Sequence, residues 1–142
     1  MLENRILLSA LLAWLIAQTL KLSIALVRTH RVDFRYMVSS GGMPSAHAAL
    51  VTALATAVGR VQGTSSALFA IAAIFAAVVM YDAAGVRQAV SVQARILNRM
   101  LDEIFTEHHF REQRLFELLG HTRLEVFVGF VLGVAVGVLG TR

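Results

Sequence analysis

The feature that most constrains this chain is a nearly unbroken apolar run over residues 6–27, which carries Gln18 and Lys21 in its second half. Such a run is long enough to cross the roughly 30 Å hydrocarbon core of a bilayer as a helix. Hydrophobic residues make up 57% of the 142 residues and charged residues 15%, and the mean hydropathy is +0.69. Because this composition is too apolar for an ordinary soluble domain, it predicts a small integral membrane protein.

Three further apolar stretches cover residues 44–61, 66–85 and 124–140. Between the last two, over residues 88–107, apolar side chains recur at helical spacing and polar ones take the other face, which is typical of an amphipathic helix lying at the membrane interface. We find no repeat or linker. The sequence therefore predicts an all-α integral membrane bundle, about four transmembrane helices plus one interfacial amphipathic helix, in a single domain over residues 1–142.

The last apolar stretch has a glycine every fourth residue, at Gly129, Gly133 and Gly137. We refer to these three residues as the glycine stripe. Such a stripe lets another helix approach closely. It predicts helix packing, either within the bundle or in a homodimer.

The unusual polar residues converge on one membrane face, which we call side two. If each apolar stretch crosses the membrane once, the first loop and the segment between the third and last spans lie on the same side. The residues at these span ends are Lys21, Arg28, Ser45, His47, Asp82, Arg87, His121 and Glu125. Because scattered core residues would have no reason to share a face, this pattern predicts one polar site on side two.

The run from Gly41 to His47 places two glycines and Pro44 where a polar loop meets the second apolar stretch. Pro44 suits the first position of a helix, so we expect Ser45 and His47 in its first turn, where free N–H groups and the helix dipole favour an anion. This predicts a phosphate site with a proton donor. The alternative is an ordinary Gly-Pro turn that starts a membrane helix.

Two pairs of residues have the spacing of neighbours on one helix face. Lys21 and Arg28 are two helical turns apart, about 10 Å along the axis, and His121 and Glu125 are four residues apart. A carboxylate at that spacing can orient an imidazole, as in sites for nucleophilic and acid–base catalysis. A lysine within a span is costly to insert, so it usually has a functional or pairing role. We therefore interpret Lys21 as such a residue and the second pair as a base with its orienting group.

Each of these residues also has a purely structural explanation. Lys21 can snorkel to the interface, Glu125 can complement the N-terminus of the last helix, and Asp82 and Arg87 can simply pair. A metal site built from histidine and glutamate lacks the usual short ligand spacing, and the chain has no cysteine. We expect neither a metal nor a cofactor.

The chain carries a formal charge of +4. No basic stripe interleaved with aromatic residues is visible, so we predict contact with anionic lipid or phosphate and not with nucleic acid. Side one has only Arg5, Arg60 and Arg142, whereas side two has Arg28, Arg31, Arg35, Arg87, Arg95, Arg99, Arg111, Arg114 and Arg123. The positive-inside rule then predicts a multi-pass protein of the cell membrane with its site on the cytoplasmic face.

Three motifs in this order resemble those of the type-2 phosphatidic acid phosphatase and vanadium haloperoxidase superfamily. That superfamily carries K-x6-R-P, P-S-G-H and S-R-x5-H-x3-D, and this chain has Lys21-x6-Arg28, Pro44-Ser45-Ala46-His47 and His121-x3-Glu125. The chain is more similar still to the divergent branch, whose Gly-Gly-Met-Pro-Ser-x-His, Tyr-Asp-Ala-x-Gly-Val-Arg and Leu-Leu-Gly-His-Thr runs match residues 41–47, 81–87 and 118–122.

The resemblance implies roles for these residues. His121 would attack phosphorus, Glu125 would orient it and His47 would protonate the leaving oxygen. Lys21, Arg28 and Ser45 would hold the phosphate, with a further arginine that is either Arg87, fixed by Asp82, or Arg114. The chain departs from the superfamily at Thr29, Ala46 and Glu125, and it lacks the Ser-Arg pair of the third motif.

The resemblance implies a metal-independent hydrolase acting on a lipid phosphate or an isoprenoid pyrophosphate. A hypothesis of another class is a non-catalytic membrane protein that binds anionic lipid headgroups in the same pocket. A third is a small transporter or scaffold subunit built on the glycine stripe. The converging polar residues favour the first two hypotheses over the third.

Overall fold

A computed structural model describes residues 4–29, 42–104 and 121–142. These residues form five α-helices and no strand: α1 (Arg5–Thr29), α2 (Ala46–Gln62), α3 (Ala67–Ala84), α4 (Val86–Ile104) and α5 (Arg123–Gly140). The predicted all-helical architecture is therefore confirmed over the described part of the chain.

Helix α2 lies at the centre of the bundle. It packs against α1, α3 and α5, and α1 also contacts α5. Its inward positions are occupied by small side chains, so that Ala48, Ala49, Ala53 and Ala57 have no exposed surface. Small residues let helix backbones approach closely, and the core of this bundle is accordingly built from alanine and glycine more than from large apolar side chains.

Three stretches are long and apolar enough to cross a membrane: Arg5–Val27 in α1, Ala67–Leu101 across α3 and α4, and Arg123–Gly140 in α5. Helix α2, expected as a further span, has 17 residues, or about 25 Å at 1.5 Å per residue. It is short for a span, but it is enclosed by its neighbours. The outer face of α3 is apolar and suits contact with lipid, with Leu68, Ile71, Ile74, Phe75 and Val78 exposed.

The glycine stripe packs against α2 of the same chain. A Cβ atom at Gly133 would lie 2.5 Å from the Ala49 carbonyl oxygen, and one at Gly137 would lie 2.9 Å from that of Ala53. All three stripe glycines are buried. Of the two kinds of packing expected, the structure has packing within the bundle. A homodimer through these three glycines stays a prediction.

Helix α2 begins two residues later than the sequence predicts. Its N-cap is Ser45, whose Oγ accepts a hydrogen bond from the Ala48 amide at 3.3 Å. Pro44 therefore precedes the cap, and the prediction that it opens the helix is wrong. The reason is that a serine hydroxyl satisfies one of the free N–H groups of the first turn, which proline at that position cannot do.

A single residue, Gly85, separates α3 from α4. Its amide donates to the Tyr81 carbonyl at 2.9 Å, and its carbonyl accepts from the Ala89 amide at 3.0 Å. Among the described helices, α4 contacts only α3.

The predicted amphipathic segment is present as α4, although residues 105–107 lie outside the described residues. Apolar side chains that include Ile96, Leu97, Met100 and Leu101 are exposed, and Ser91 and Asn98 are buried. An exposed apolar face on a helix with a polar opposite face fits the interfacial position that the sequence predicts, and that position itself stays a prediction.

Candidate phosphate site

The site lies at one end of the bundle, where two backbone hydrogen bonds tie three helix ends together. The amide of Ser45, the N-cap of α2, donates to the Glu125 carbonyl in α5 at 3.0 Å. The amide of His121, just before α5, donates to the Ala83 carbonyl in α3 at 3.4 Å. Lys21 of α1 approaches the same place. We call this the site end of the bundle, and it agrees with the convergence that the sequence predicts for these residues.

His121 and Glu125 are in direct contact. Nδ1 of His121 lies 3.2 Å from Oε2 of Glu125, and His121 is only 3% exposed. In the tautomer with its proton on Nδ1, the imidazole donates to the carboxylate and keeps a lone pair on Nε2. A carboxylate that fixes one ring nitrogen in this way leaves the other available as a nucleophile or base.

The same glutamate also caps α5. Oε2 of Glu125 accepts a hydrogen bond from the Thr122 amide at 2.9 Å, and Oγ1 of Thr122 accepts one from the Glu125 amide at 3.3 Å. This is a capping box. The two explanations of Glu125, as helix cap and as orienting group, therefore hold together, because one carboxylate oxygen accepts from both partners.

Burial lowers the pKa of the His121 imidazole, because a charged ring loses its hydration there. The hydrogen bond and the negative charge of Glu125 act to raise the pKa, whereas the charges of Lys21 and His47 act to lower it. The net direction is downward, which favours the neutral form of His121 at neutral pH. Only the neutral ring has the free lone pair that a nucleophile needs.

Lys21 reaches the site from within the membrane span of α1. It is 6% exposed, and its charge interacts with both Glu125 and His121. A snorkelling lysine keeps its ammonium group in water, so its burial argues against that alternative. The lysine stem packs on the backbone of Gly42, where a Cβ atom would lie 3.0 Å from Lys21 Cε. Gly42 also has a φ of 98°, which favours glycine.

Ser45 and His47 open α2 on the site side. Ser45 has no exposed surface, and its hydroxyl, which accepts the capping hydrogen bond, still has its own hydrogen to donate. His47 is the second residue of α2 and is exposed. It is close enough for its charge to act on His121. A buried hydroxyl and an accessible imidazole thus flank the same helix N-terminus.

Three of the remaining predicted residues belong to segments near helix ends. Asp82 is half-buried near the end of α3. Arg28 lies two turns after Lys21 in α1, and Arg87 is the second residue of α4. The pairing of Asp82 with Arg87 stays a prediction, and Arg114 lies outside the described residues. Within the described ranges, no group of three His, Cys, Asp or Glu side chains could hold a metal ion.

Two contributors to this site lie within the motif runs but have no role assigned from them. Thr122 carries the cap that holds Glu125, and the spacing of Thr122 and Glu125 is the sequence signature of a capping box, so this one was detectable. Gly42 provides space for the Lys21 stem. The contact between Gly42 and Lys21 joins residues far apart in the chain, so no local sequence pattern predicts it.

Comparison with known proteins places the chain in a family. A profile described as "Divergent PAP2 family" matches residues 2–136. The chain is 39% identical over 145 residues to "Uncharacterized membrane protein YuiD" of Bacillus subtilis (strain 168), covering 94% of this chain and 92% of that one. No solved structure matches it. With its several apolar helices, the chain is a multi-pass membrane protein, and it belongs to the divergent PAP2 family.

Proposed function

We propose that this chain is an integral membrane phosphatase that hydrolyses a lipid phosphate or an isoprenoid pyrophosphate through a phosphohistidine. The observation that carries the proposal is the contact of 3.2 Å between His121 Nδ1 and Glu125 Oε2, with the buried residue Lys21 close enough for its charge to act on the same imidazole. Membership of the divergent PAP2 family supports a relationship to phosphatases.

The phosphate is bound first. Lys21 and Arg28 contact its oxygens together with Arg87 or Arg114, and the Ser45 hydroxyl donates to it at the N-terminus of α2. Asp82 fixes Arg87 when Arg87 is that further cation. Phosphoryl transfer depends mainly on such positioning and on stabilisation of charge on the transferred group.

His121 Nε2 then attacks phosphorus. The N–P bond forms as the bond from phosphorus to the lipid oxygen breaks, and His47 gives its proton to that oxygen. Glu125 stabilises the positive charge that develops on the His121 ring through the Nδ1–H bond. In the second half, His47 takes a proton from water, the water oxygen attacks phosphorus, and the N–P bond breaks to release phosphate.

The assay is phosphate release by detergent-purified protein from a phosphatidic acid and from an isoprenoid pyrophosphate. His121→Ala is the test variant. The matched control is His109→Ala, which removes a histidine from the polar segment before α5. We expect release by the wild type and by His109→Ala, and none by His121→Ala. Headgroup binding without release from any lipid phosphate would instead support the non-catalytic binder.

We place the site on the cytoplasmic face of the cell membrane. The reason is that the side of the membrane with the site carries more arginines than the opposite side, and the arginine-rich side usually faces the cytoplasm. A topology reporter fused after Arg142 tests this placement. It should report an extracytoplasmic C-terminus, and a reporter active only in the cytoplasm would reverse the orientation.

A further inference from the structure

We propose that Gly129 is a positioning residue for this site: by allowing α2 to touch α5, it sets the distance between His47 and His121. This inference rests on the proposed function for its kinetic consequence. Its structural consequence can be measured without any activity.

Gly129 faces the very start of α2. A Cβ atom at this position would collide with the carbonyl oxygen of Ser45 and would lie 3.0 Å from the Cβ of Ala48. The Ser45 carbonyl is backbone and accepts the Ala49 amide at 3.0 Å, so it cannot rotate away. Any side chain at Gly129 therefore displaces one helix start from the other.

The displaced parts are those that carry the two histidines. One turn closer to the site than Gly129, the Ser45 amide donates to the Glu125 carbonyl at 3.0 Å. His47 follows Ser45 by two residues, and Glu125 holds His121 through Oε2. Opening the contact at Gly129 thus stretches the hydrogen bond that joins the His47 segment to the His121 segment.

The other glycines of the stripe provide matched controls. A Cβ atom at Gly133 would meet the Ala49 carbonyl oxygen at 2.5 Å and Thr52 Cβ at 2.8 Å. One at Gly137 would meet Thr56 Cβ at 2.8 Å and the Ala53 carbonyl oxygen at 2.9 Å. These collisions are of the same kind, but along α5 they lie about 6 Å (Gly133) and about 12 Å (Gly137) further from the site.

The experiment compares Gly129→Ala, Gly133→Ala and Gly137→Ala in kcat, KM and thermal midpoint. We expect all three to lower the midpoint. We expect Gly129→Ala to reduce kcat by about 100-fold, since a displacement of about 1 Å can have that effect. Gly137→Ala should keep kcat within about threefold of the wild type, because its site geometry is preserved. Equal losses of kcat across the series would overturn the proposal, since they would reflect general destabilisation.

The second measurement is hydrogen exchange of the Ser45 amide, by NMR of protein labelled with ¹⁵N-serine. We expect exchange at least about fivefold faster in Gly129→Ala, from loss of one hydrogen bond, and unchanged in Gly137→Ala. Unchanged protection in Gly129→Ala would overturn the proposal. An inactive wild type would refute the proposed function, and this exchange would still test the contact.

If Gly129→Ala does not fold, Ala48→Ser is the alternative variant. It adds one oxygen atom at the same contact between α2 and α5, from the α2 side. We expect it to lower kcat by about three- to tenfold, in proportion to a smaller displacement, with faster exchange of the Ser45 amide. If Ala48→Ser has the kcat of the wild type and the same exchange rate of the Ser45 amide, the proposal is overturned.

Discussion

Lys21 at the site end and two arginines at the far end of the bundle are held in different ways. At the site end, Lys21, Ser45 and His121 are all buried. At the far end, Arg5 and Arg60 are exposed and donate to the segment after α5, to the Arg142 main-chain oxygen and to Thr141 Oγ1, each at 2.9 Å. Burying a charge is costly unless it is paired. Arg5 and Arg60 therefore join helix ends at little cost in hydration, whereas Lys21 loses hydration beside Glu125 and His121.

The largest expected effect comes from His121→Ala. Loss of the nucleophile should reduce kcat by on the order of 10⁴-fold or more, whereas Arg60→Ala at the far end should leave kcat within about twofold, as is usual for exposed groups. Phosphate release under saturating substrate measures both. Comparable losses in the two variants would erase the difference between the ends.

Lys21→Ala should have the next largest effect. Removing a buried cation from the phosphate should lower kcat/KM by about 10²- to 10³-fold, and it should weaken inhibition by vanadate, which mimics the transferring phosphoryl group. Arg5→Ala is the matched removal of a cation at the far end of the same helix. A larger loss in Arg5→Ala than in Lys21→Ala would reverse our assignment.

Thr122→Ala compares caps at the two ends. Each N-cap hydroxyl contributes about 1 kcal/mol to stability, so Thr122→Ala and Ser66→Ala, the cap of α3, should lower the free energy of unfolding alike. Only Thr122→Ala should also lower kcat, by about tenfold, since Glu125 then holds His121 less firmly. Thr122→Ser should restore both properties. If Ser66→Ala lowers kcat as much as Thr122→Ala does, the loss of kcat reflects lower stability alone.

The pH dependence should report the surroundings of His121. Because burial lowers the pKa of this imidazole, kcat/KM should stay high at neutral pH and fall only below the ordinary histidine range, as the ring becomes protonated. Lys21→Met removes a positive charge and should raise the pKa, whereas Glu125→Gln should lower it. NMR titration of the His121 ring measures these shifts, and opposite signs would contradict the electrostatics proposed for the site.

The smallest expected effect is that of a chelator. In the proposed mechanism the cations of the site supply the charge that a metal otherwise brings, so EDTA should leave phosphate release unchanged. Activity lost with EDTA and restored by magnesium or zinc would reject the histidine mechanism and favour a metal held by His47, His121 and Glu125.

The sequence predicts the helices and the convergence of their polar ends, because both follow from apolar length and from the alternation of spans. It could not choose the partner of the glycine stripe, since a flat surface fits any helix, whether in the bundle or in a second chain. Sequence reasoning also treated helix capping and the orientation of His121 as alternative roles of Glu125, whereas in the structure Glu125 makes both contacts. Spacing shows which groups are within reach, but only geometry shows that one oxygen serves both.

The first residue of α2 and the burial of Lys21 could not be predicted from the sequence for a related reason. Pro44 and Ser45 each suit a helix start, and their competition is decided by which one satisfies the first-turn amides. The burial of Lys21 depends on Gly42, which packs over its stem from a different part of the chain. A contact between two distant segments produces no periodic pattern in the sequence of either segment, so it cannot be predicted from periodicity.

The short, enclosed helix α2 has a consequence for how the protein is made. A helix of 17 residues is a weak insertion signal by itself, and α2 rests on α1, α3 and α5. Since residues 121–140 are synthesised after α1, α2 and α3 and include the glycines that α2 packs against, a nascent chain halted before them lacks both this packing surface and the proposed nucleophile. The stable packing of α2 and the proposed reactivity therefore both depend on this one segment.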